Sequence, residues 1–386
     1  MHSGCHVFGR TRLPAYLAVM FLYVVAVVPV ANAETYQSDL SGQIVDESDQ
    51  SYDEAWVSDD TLGTCDDANC TGCSRCRSRG IFPNDEPPGL IQRWFGSHSV
   101  PNTRWSAEAD AVLLWRNAPP ARSLVTSAGA SPSTILDAAD LESTAAAGPR
   151  FRILRSHCSG AGAEFVYLRA FNFRAVDSLP SASQSIYLPD NLLNQPSIAF
   201  AGGTANLGSA IQTFEANGRT PLRSRNLFFL AGFRWLEWQE HFSLDTTPAA
   251  SATSYDASTI NSLYGGQLGL EALLFTSKSV NVDTFFKGGA YYNNVAQRTS
   301  FSTNVPGVAP VSTALNGSPA SGAFVGELGI NGSIRITEYA RVRFGYTAFW
   351  LENIALATQQ LTDPNVLVSN GNTILQGVQL GLEGSW

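Results

Sequence analysis

The stretch "LQGVQLGLEGSW", residues 375–386, alternates apolar with small or polar residues and stops on an aromatic. In an extended chain Val378, Leu380, Leu382, Gly384 and Trp386 share one face, while Gly377, Gln379, Gly381, Glu383 and Ser385 share the other. Twelve residues give an oily face and a wet face, but not the solvent that the oily face meets. The rest of the chain supplies that.

The same two-residue period recurs upstream. Trp105, Ala107, Ala109, Ala111, Leu113 and Trp115 oppose Ser106, Glu108, Asp110 and Arg116. Val280, Val282, Thr284, Phe286, Ala290 and Tyr292 oppose Asn281, Asp283, Lys287 and Asn293. Phe324, Leu328, Ile330, Ile334 and Ile336 oppose Glu327, Asn331, Ser333 and Arg335, and in "RVRFGYTAFW" (341–350) the apolar Val342, Phe344, Tyr346, Ala348 and Trp350 oppose Arg341, Arg343 and Thr347. Each run is about ten residues or more, longer than the usual ~5–6 of a soluble strand and matched to the ~9–11 that cross a bilayer at a tilt. Weaker members lie near 148–155 (Phe151 and Ile153 against Arg150 and Arg152), 161–173, 209–217, 226–240 and 263–275. Two of them break phase: Arg169 shares a face with Phe165 and Tyr167, and "LFFLAGFRWLEW" (227–238) carries aromatics on both faces. A β-bulge would restore the phase in either.

Composition points the same way. Charged residues make up 15% of the 386, against roughly 25% in soluble domains. The mean hydropathy of -0.04 and a single long apolar run exclude a bundle of membrane helices. A net charge of -9 without Lys/Arg clusters argues against nucleic acid as a partner. The apolar run, "LPAYLAVMFLYVVAVVPVANA", follows Arg10 and Arg12 and ends in Ala31-Asn32-Ala33, so residues 1–33 read as a signal peptide cleaved after Ala33 rather than a retained anchor.

Residues 34–103 show no sustained alternation and read as an irregular periplasmic extension. Its "CDDANCTGCSRC" places Cys65, Cys70, Cys73 and Cys76 at a spacing superficially like zinc or iron–sulfur ligation. In an oxidising compartment disulfides are the stronger reading, with three pairings open. Cys158 is the odd one, and Cys5 leaves with the signal peptide. No cofactor or resident metal is expected.

From residue 104 onward the links between strands alternate long (117–147, 174–208, 241–262, 294–321, 357–372) and short (156–160, 218–225, 276–279, 337–339). Outer-membrane barrels have short periplasmic turns, longer outside loops and an even strand count. The expectation is therefore all-β: an antiparallel up-and-down transmembrane β-barrel over 104–386, of about ten strands, beginning and ending on the periplasmic side. Twelve strands result if "PSIAFAGG" (196–203) or part of 117–147 joins the sheet. Lipid offers no partner to a bare backbone edge, so the last strand must close on the first, which sets Trp386 at the periplasmic interface.

Two resemblances follow from these residues. "QLGLEGSW" resembles the C-terminal assembly signal of bacterial outer-membrane barrels: Gln379, Gly381 and Trp386 match, while Gly384 stands where a bulky apolar residue is usual. It implies the barrel assembly machinery as a partner. "AEADAVLLWRNAPPARSLVTS", "GPRFRILRSHCSGAGAEFVYLRAF", "LAGFRWLEWQEHFSL", "NSLYGGQLGL" and "VDTFFKGGAYYNNVAQ", in that order over roughly 104–386, resemble a planctomycete outer-membrane β-barrel family of porin type. That likeness implies a bacterial outer membrane, with its lipids as surroundings, and leaves transport open, because a fold name is not a function.

For function, the inward faces place acids (Glu108, Asp110, Glu271, Asp283, Glu327, Glu383) and bases (Arg116, Arg150, Arg152, Lys287, Arg335, Arg341, Arg343) in similar number. Two readings stand side by side: a narrow porin-like pore for small solutes, and a plug in which opposite charges pair. A third class is an adhesin or envelope scaffold acting through "TTPAASATSYDASTINS" (246–262) and "RTSFSTNVPGVAPVSTALNGSPAS" (298–321), which read as exposed mobile loops. An enzyme is not expected. After signal cleavage the histidines are His98, His157 and His241, and only His241 falls at the outer mouth, with no nucleophile or base placed beside it.

Overall fold

A computed structural model describes residues 103–127, 133–157, 160–179, 186–187, 199–200, 202–222, 226–247, 252–318, 322–361, 363 and 365–386. The signal peptide, the cluster Cys65, Cys70, Cys73 and Cys76, and also His98 and Cys158, lie outside the described residues.

The alternating runs form the barrel strands β1 (Thr103–Arg116), β2 (Ala146–His157), β3 (Gly162–Leu179), β4 (Gly202–Pro221), β5 (Leu227–Thr247), β6 (Thr253–Thr276), β7 (Val280–Thr303), β8 (Ala323–Arg335), β9 (Ala340–Ile354) and β10 (Gly371–Ser385). Each pairs antiparallel with its chain neighbours, and β10 returns to β1 in a register running from Ser106↔Ser385 to Arg116↔Leu375. The sheet is a closed ten-stranded barrel. Trp105 and Trp386 complete the seam, each amide donating to the other's carbonyl at 2.9 Å.

The segments that allowed a twelve-strand count do pair, but outside the barrel. Ser123–Ser127 and Thr134–Asp137 from the first long connection join Ile186–Tyr187 and Ala199–Phe200 in a separate four-stranded sheet. Val311–Gly317 adds to the upper half of β7.

The third of the expected long links is corrected. Residues 241–262 are mostly strand, because β5 and β6 run on past the apolar band and leave only 248–252 between them. β6 and β7 are 24 residues each, about 80 Å along the strand at ~3.3 Å per residue, far more than a bilayer requires. The two stretches read as exposed mobile loops are corrected in part: 246–247, 253–262, 298–303 and 311–317 are strand, with Tyr255 and Ala257 fully buried and Phe301 nearly so. Their Ser/Thr-rich composition serves both faces: Ser254, Asp256 and Ser258 lie on the outer one, while Thr253, Thr259, Asn261 and Thr299 are buried beside Tyr255, Ala257 and Phe301 on the inner one.

The exterior changes solvent along a register row. Tyr167↔Phe214↔Trp235↔Tyr264↔Tyr292 are direct cross-strand partners on the outward face of β3 to β7. Two residues further out the same strands carry Arg169↔Gln212↔Glu237↔Ser262↔Asn294, also direct partners. Below the aromatic row the outward face of β6 is apolar from Tyr264 through Leu268 and Leu270 to Leu274. From Tyr264 to Leu274 is about 33 Å along the strand, or ~25 Å in height at the usual tilt, the depth of a bilayer's apolar band.

This row also settles the two phase breaks. Arg169 faces outward because it stands in the first polar row, with its guanidinium 5.6 Å from the Phe171 ring centre. The bulge on β3 comes later, at Asn172 (φ 70°), and restores Phe173 to the lumen. β5 needs no bulge: its register is unbroken, with Phe228, Arg234 and Trp238 inside and Phe233 outside.

Candidate functional site

The lumen is the place where buried polar chemistry collects, and it is layered. Its floor, towards the short turns, is a single chain of ion pairs. Arg234 bridges Glu215 (2.8 Å) and Glu327. Glu327 also meets Arg150 at 3.5 Å, and Glu215 meets Lys287 at 2.8 Å. Lys287 passes the chain to Glu164 (3.3 Å), Glu164 to Arg152 (2.7 Å), and Arg152 to Glu108 and Glu271 (3.1 Å each). Arg219 caps Glu271 at 2.7 Å, and Arg343 joins Glu108 (3.1 Å), Glu383 (3.5 Å) and Asp110 (3.8 Å).

Neutral amides complete the floor. Gln267 donates to Glu215 at 2.9 Å and to the Asn217 carbonyl oxygen at 2.7 Å, while Asn217 donates to Glu164 at 2.9 Å. Arg150 donates to Gln379 (2.9 Å), Gln379 to Asn331 (2.6 Å), and Asn331 to Asp283 (2.8 Å). The room left among Glu108, Arg150, Arg152, Glu164, Glu271, Asp283, Lys287 and Arg343 is about 10 Å³, no more than one water requires.

Above the floor all ten strands contribute to an apolar collar. It includes Val112 and Leu114, Ala146, Leu168 and Phe173, Ile211, Leu236 and Trp238, Leu263, Tyr291, Val325, Phe349 and Leu351, and Leu375. A second apolar layer closes the tall side. There Leu124, Val125, Leu136 and Leu141 from the first long connection pack against Leu207, Phe242, Leu244, Tyr255 and Phe301. Between the two layers sits one more ion pair, Arg116 with Glu240 at 2.6 Å, both side chains fully buried. Arg116 donates to Ser209 (2.6 Å), and Glu240 accepts from the Trp238 indole (3.0 Å) and the Ala357 amide (2.9 Å).

Of the charges expected to face inward, Glu108, Asp110, Arg150, Arg152, Glu271, Asp283, Lys287, Glu327, Arg343 and Glu383 meet in the floor, and three stand elsewhere. Arg116 belongs to the upper level, and Arg335 and Arg341 are register partners at the short-turn mouth rather than members of the floor. Five charges of the lumen were missed: Glu164, Glu215, Arg219, Arg234 and Glu240. Glu215 and Arg219 lie on β4, whose inward face mixes small, polar and charged residues, and the others lie on β3 and β5, which carry aromatics on both faces, so the oily and wet faces were hard to tell apart. The available signal was local, since Arg234 is flanked in sequence by Phe233 and Trp235, which leaves it no face but the inner one.

The assembly-signal residues also have work in the folded barrel. Gln379 links Arg150 to Asn331 as above, and a Cβ on Gly381 would collide with the Ala109 carbonyl oxygen and Asp110 Oδ1. His241 is on the outer wall of β5, not at the mouth of the lumen. Its Nε2 is 4.0 Å from Asp256, and both side chains are more than a third exposed. Among the described residues no group of three or more His, Cys, Asp or Glu is placed to hold a metal ion.

No family model and no curated protein matches the chain, so the family resemblance of its five segments remains a sequence reading. Solved structures do match. The outer membrane protease OmpT from Escherichia coli aligns with a TM-score of 0.43 at 10% identity, over 75% of this chain and 99% of that one. The Pseudomonas putida toluene transporter TodX gives 0.26 at 8% identity, over 74% and 90%. An anion-selective porin from Comamonas acidovorans gives 0.17 at 9% identity, over 74% and 99%. The likeness is one of barrel class, and no residue's role passes across it.

Proposed function

We propose that this chain is an outer-membrane barrel with a sealed lumen, which acts as a non-enzymatic structural or interaction platform through its tall outer rim rather than as a pore. The observation that carries the reading is the stacking of an ion-paired floor under an apolar collar drawn from all ten strands. An ion entering the floor would have to break charge pairs already made, and in the collar it would lose its hydration with nothing offered in return. The apolar outward band supports a membrane setting, and the extended β4 to β7 with their polar outer faces support display above it.

Single-channel recording on the mature chain refolded into a planar bilayer tests this. Heat-modifiable gel mobility confirms folding. The expected result is a folded, silent barrel; steady conductance would overturn the sealed-lumen reading and restore the narrow pore. The assembly machinery remains the expected partner of the last strand, through Gln379, Gly381 and Trp386.

A further inference from the structure

The tall rim ends on an open strand, and the course of β9 explains why. Along its lower half β7 pairs with β8, from Val280↔Ile334 up to Tyr291↔Ala323. Above that, from Val295↔Gly317 to Phe301↔Val311, its partner is the strand Val311–Gly317, which stands in line with β8. β9 flanks β8 as high as Phe324↔Glu352 and then leaves the wall. Asn353 takes left-handed backbone (φ 59°), and Asn261 holds Ala355 from both sides, donating to its carbonyl oxygen (2.8 Å) and accepting from its amide (2.7 Å). The short 3₁₀ helix Ala357–Leu361 that follows packs against β5, β6 and β7. The chain that would have continued the wall therefore turns into the lumen. Val311–Gly317 becomes the last strand of the sheet, with no second partner strand among the described residues.

An edge strand presents the N–H and C=O of every second residue sideways, and proteins guard such edges with charge, proline or a bulge. This one has none of the three. Its register with β7 is unbroken, it contains no proline, and the chain carries no charged residue from Thr299 to Gly326. Its two faces differ: Ser312, Ala314 and Asn316 are exposed, while Val311, Thr313 and Leu315 are half-buried. Val311 packs against the upper apolar layer, as do Val305 and Val308. Leu367 lies against the lowest residue, Gly317, so the open length is Val311–Asn316.

We propose that Val311–Asn316 is a docking edge for an extended segment of another protein, which joins the rim as an added strand. The chemistry of that segment follows from the two faces. It is uncharged and of matching length, with apolar side chains at alternate positions to lie beside Val311, Thr313 and Leu315, and small polar ones between them to lie beside Ser312, Ala314 and Asn316. A second copy of this chain fits less well. Copies in one membrane stand the same way up, so a twofold axis along the membrane normal would cross their edges at about twice the ~35–45° strand tilt, far from the ~20–25° between neighbours in a sheet. The proposal rests on the reading of the rim as an interaction platform, and whether the lumen conducts does not bear on it.

The test uses the refolded mature chain in lipid nanodiscs, with a heptapeptide alternating Thr and Val as the probe. The expected result is saturable binding, with hydrogen exchange slowed at alternate amides of 311–317. The same peptide N-methylated at every residue has no N–H to give, and is expected to bind about tenfold or more weaker. Ser312→Pro and Thr313→Pro are compared in the folded, heat-modifiable fraction. Successive N–H groups point to opposite sides, so one proline blocks the open edge and the other removes a bond to β7. Loss of peptide binding in the edge-blocking variant, with the β7 amides still protected, supports the proposal. Absence of saturable binding, or equal binding of the N-methylated peptide, would overturn it. Protection of 311–317 that arises without peptide and grows with protein concentration would overturn it too, by making a second copy the occupant. A silent barrel that ignores the peptide would remove this edge and leave the sealed lumen standing.

Discussion

Arg234 shows what one residue does in this lumen. It is fully buried and its guanidinium holds two carboxylates, Glu215 and Glu327, that have no route to bulk water. Arg234→Met is expected to destabilise the barrel by ~3–5 kcal/mol, because two buried negative charges lose their counter-charge. Urea unfolding in lipid vesicles would measure it. Adding Glu327→Gln to Arg234→Met is expected to recover part of that loss; full additivity of the two costs would show that the residues do not interact. Gly381 makes the complementary case for absence of a side chain. Gly381→Val forces the β1–β10 seam apart at Ala109 and Asp110, and the folded, heat-modifiable fraction is expected to fall.

At the scale of the element, the strands are written in two solvents. The outer face of β6 reads Ser254, Asp256, Ser258, Ile260 and Ser262 above Tyr264, then Leu268, Leu270 and Leu274 below it. An arginine introduced by Leu268→Arg is expected to cost ~2–4 kcal/mol, while Ser262→Arg, two residues beyond the aromatic row, costs about 0–1. Equal costs in vesicle unfolding would mean that the bilayer boundary is not where the register row puts it. The bulges serve the same alternation. Asn172 and Asn353 both take left-handed backbone (φ 70° and 59°), which asparagine accepts more readily than most residues, and each resets which side chains face the lumen. Glycines opposite rings do related work: the Trp350 ring lies over its register partner Gly326, and Phe344 over Gly332, so a side chain at either glycine would displace an aromatic from the wall.

For the whole molecule, closure and sealing are separate achievements. Closure is made by the β1–β10 ladder from Ser106↔Ser385 to Arg116↔Leu375, which Trp386 extends by exchanging two backbone bonds with Trp105. Deleting Trp386 is expected to lower the yield of assembled barrel in cells while leaving export intact, as measured by heat-modifiable mobility of the membrane fraction. The class of fold was legible from the two-residue period taken with the length of the runs, the low charge and the long–short alternation of the links, because the period is a property of a single strand and the other three report the solvent around it. The inward or outward address of most side chains followed from it, including Glu108, Arg150, Lys287 and Arg343. What the period could not carry was distance across the lumen: Arg116 reaches Ser209 across 93 residues of sequence and Arg150 reaches Gln379 across 229. Such meetings depend on the tilt and stagger of all ten strands together, a quantity no single strand encodes. Sequence by itself therefore determined that a barrel forms and which face of each strand is wet. Only the tertiary structure decided that its charges join into one floor, that an apolar collar lies above them, and that Ser/Thr-rich stretches resembling loops stand upright as a rim, because each of these is fixed by packing between strands far apart in the chain.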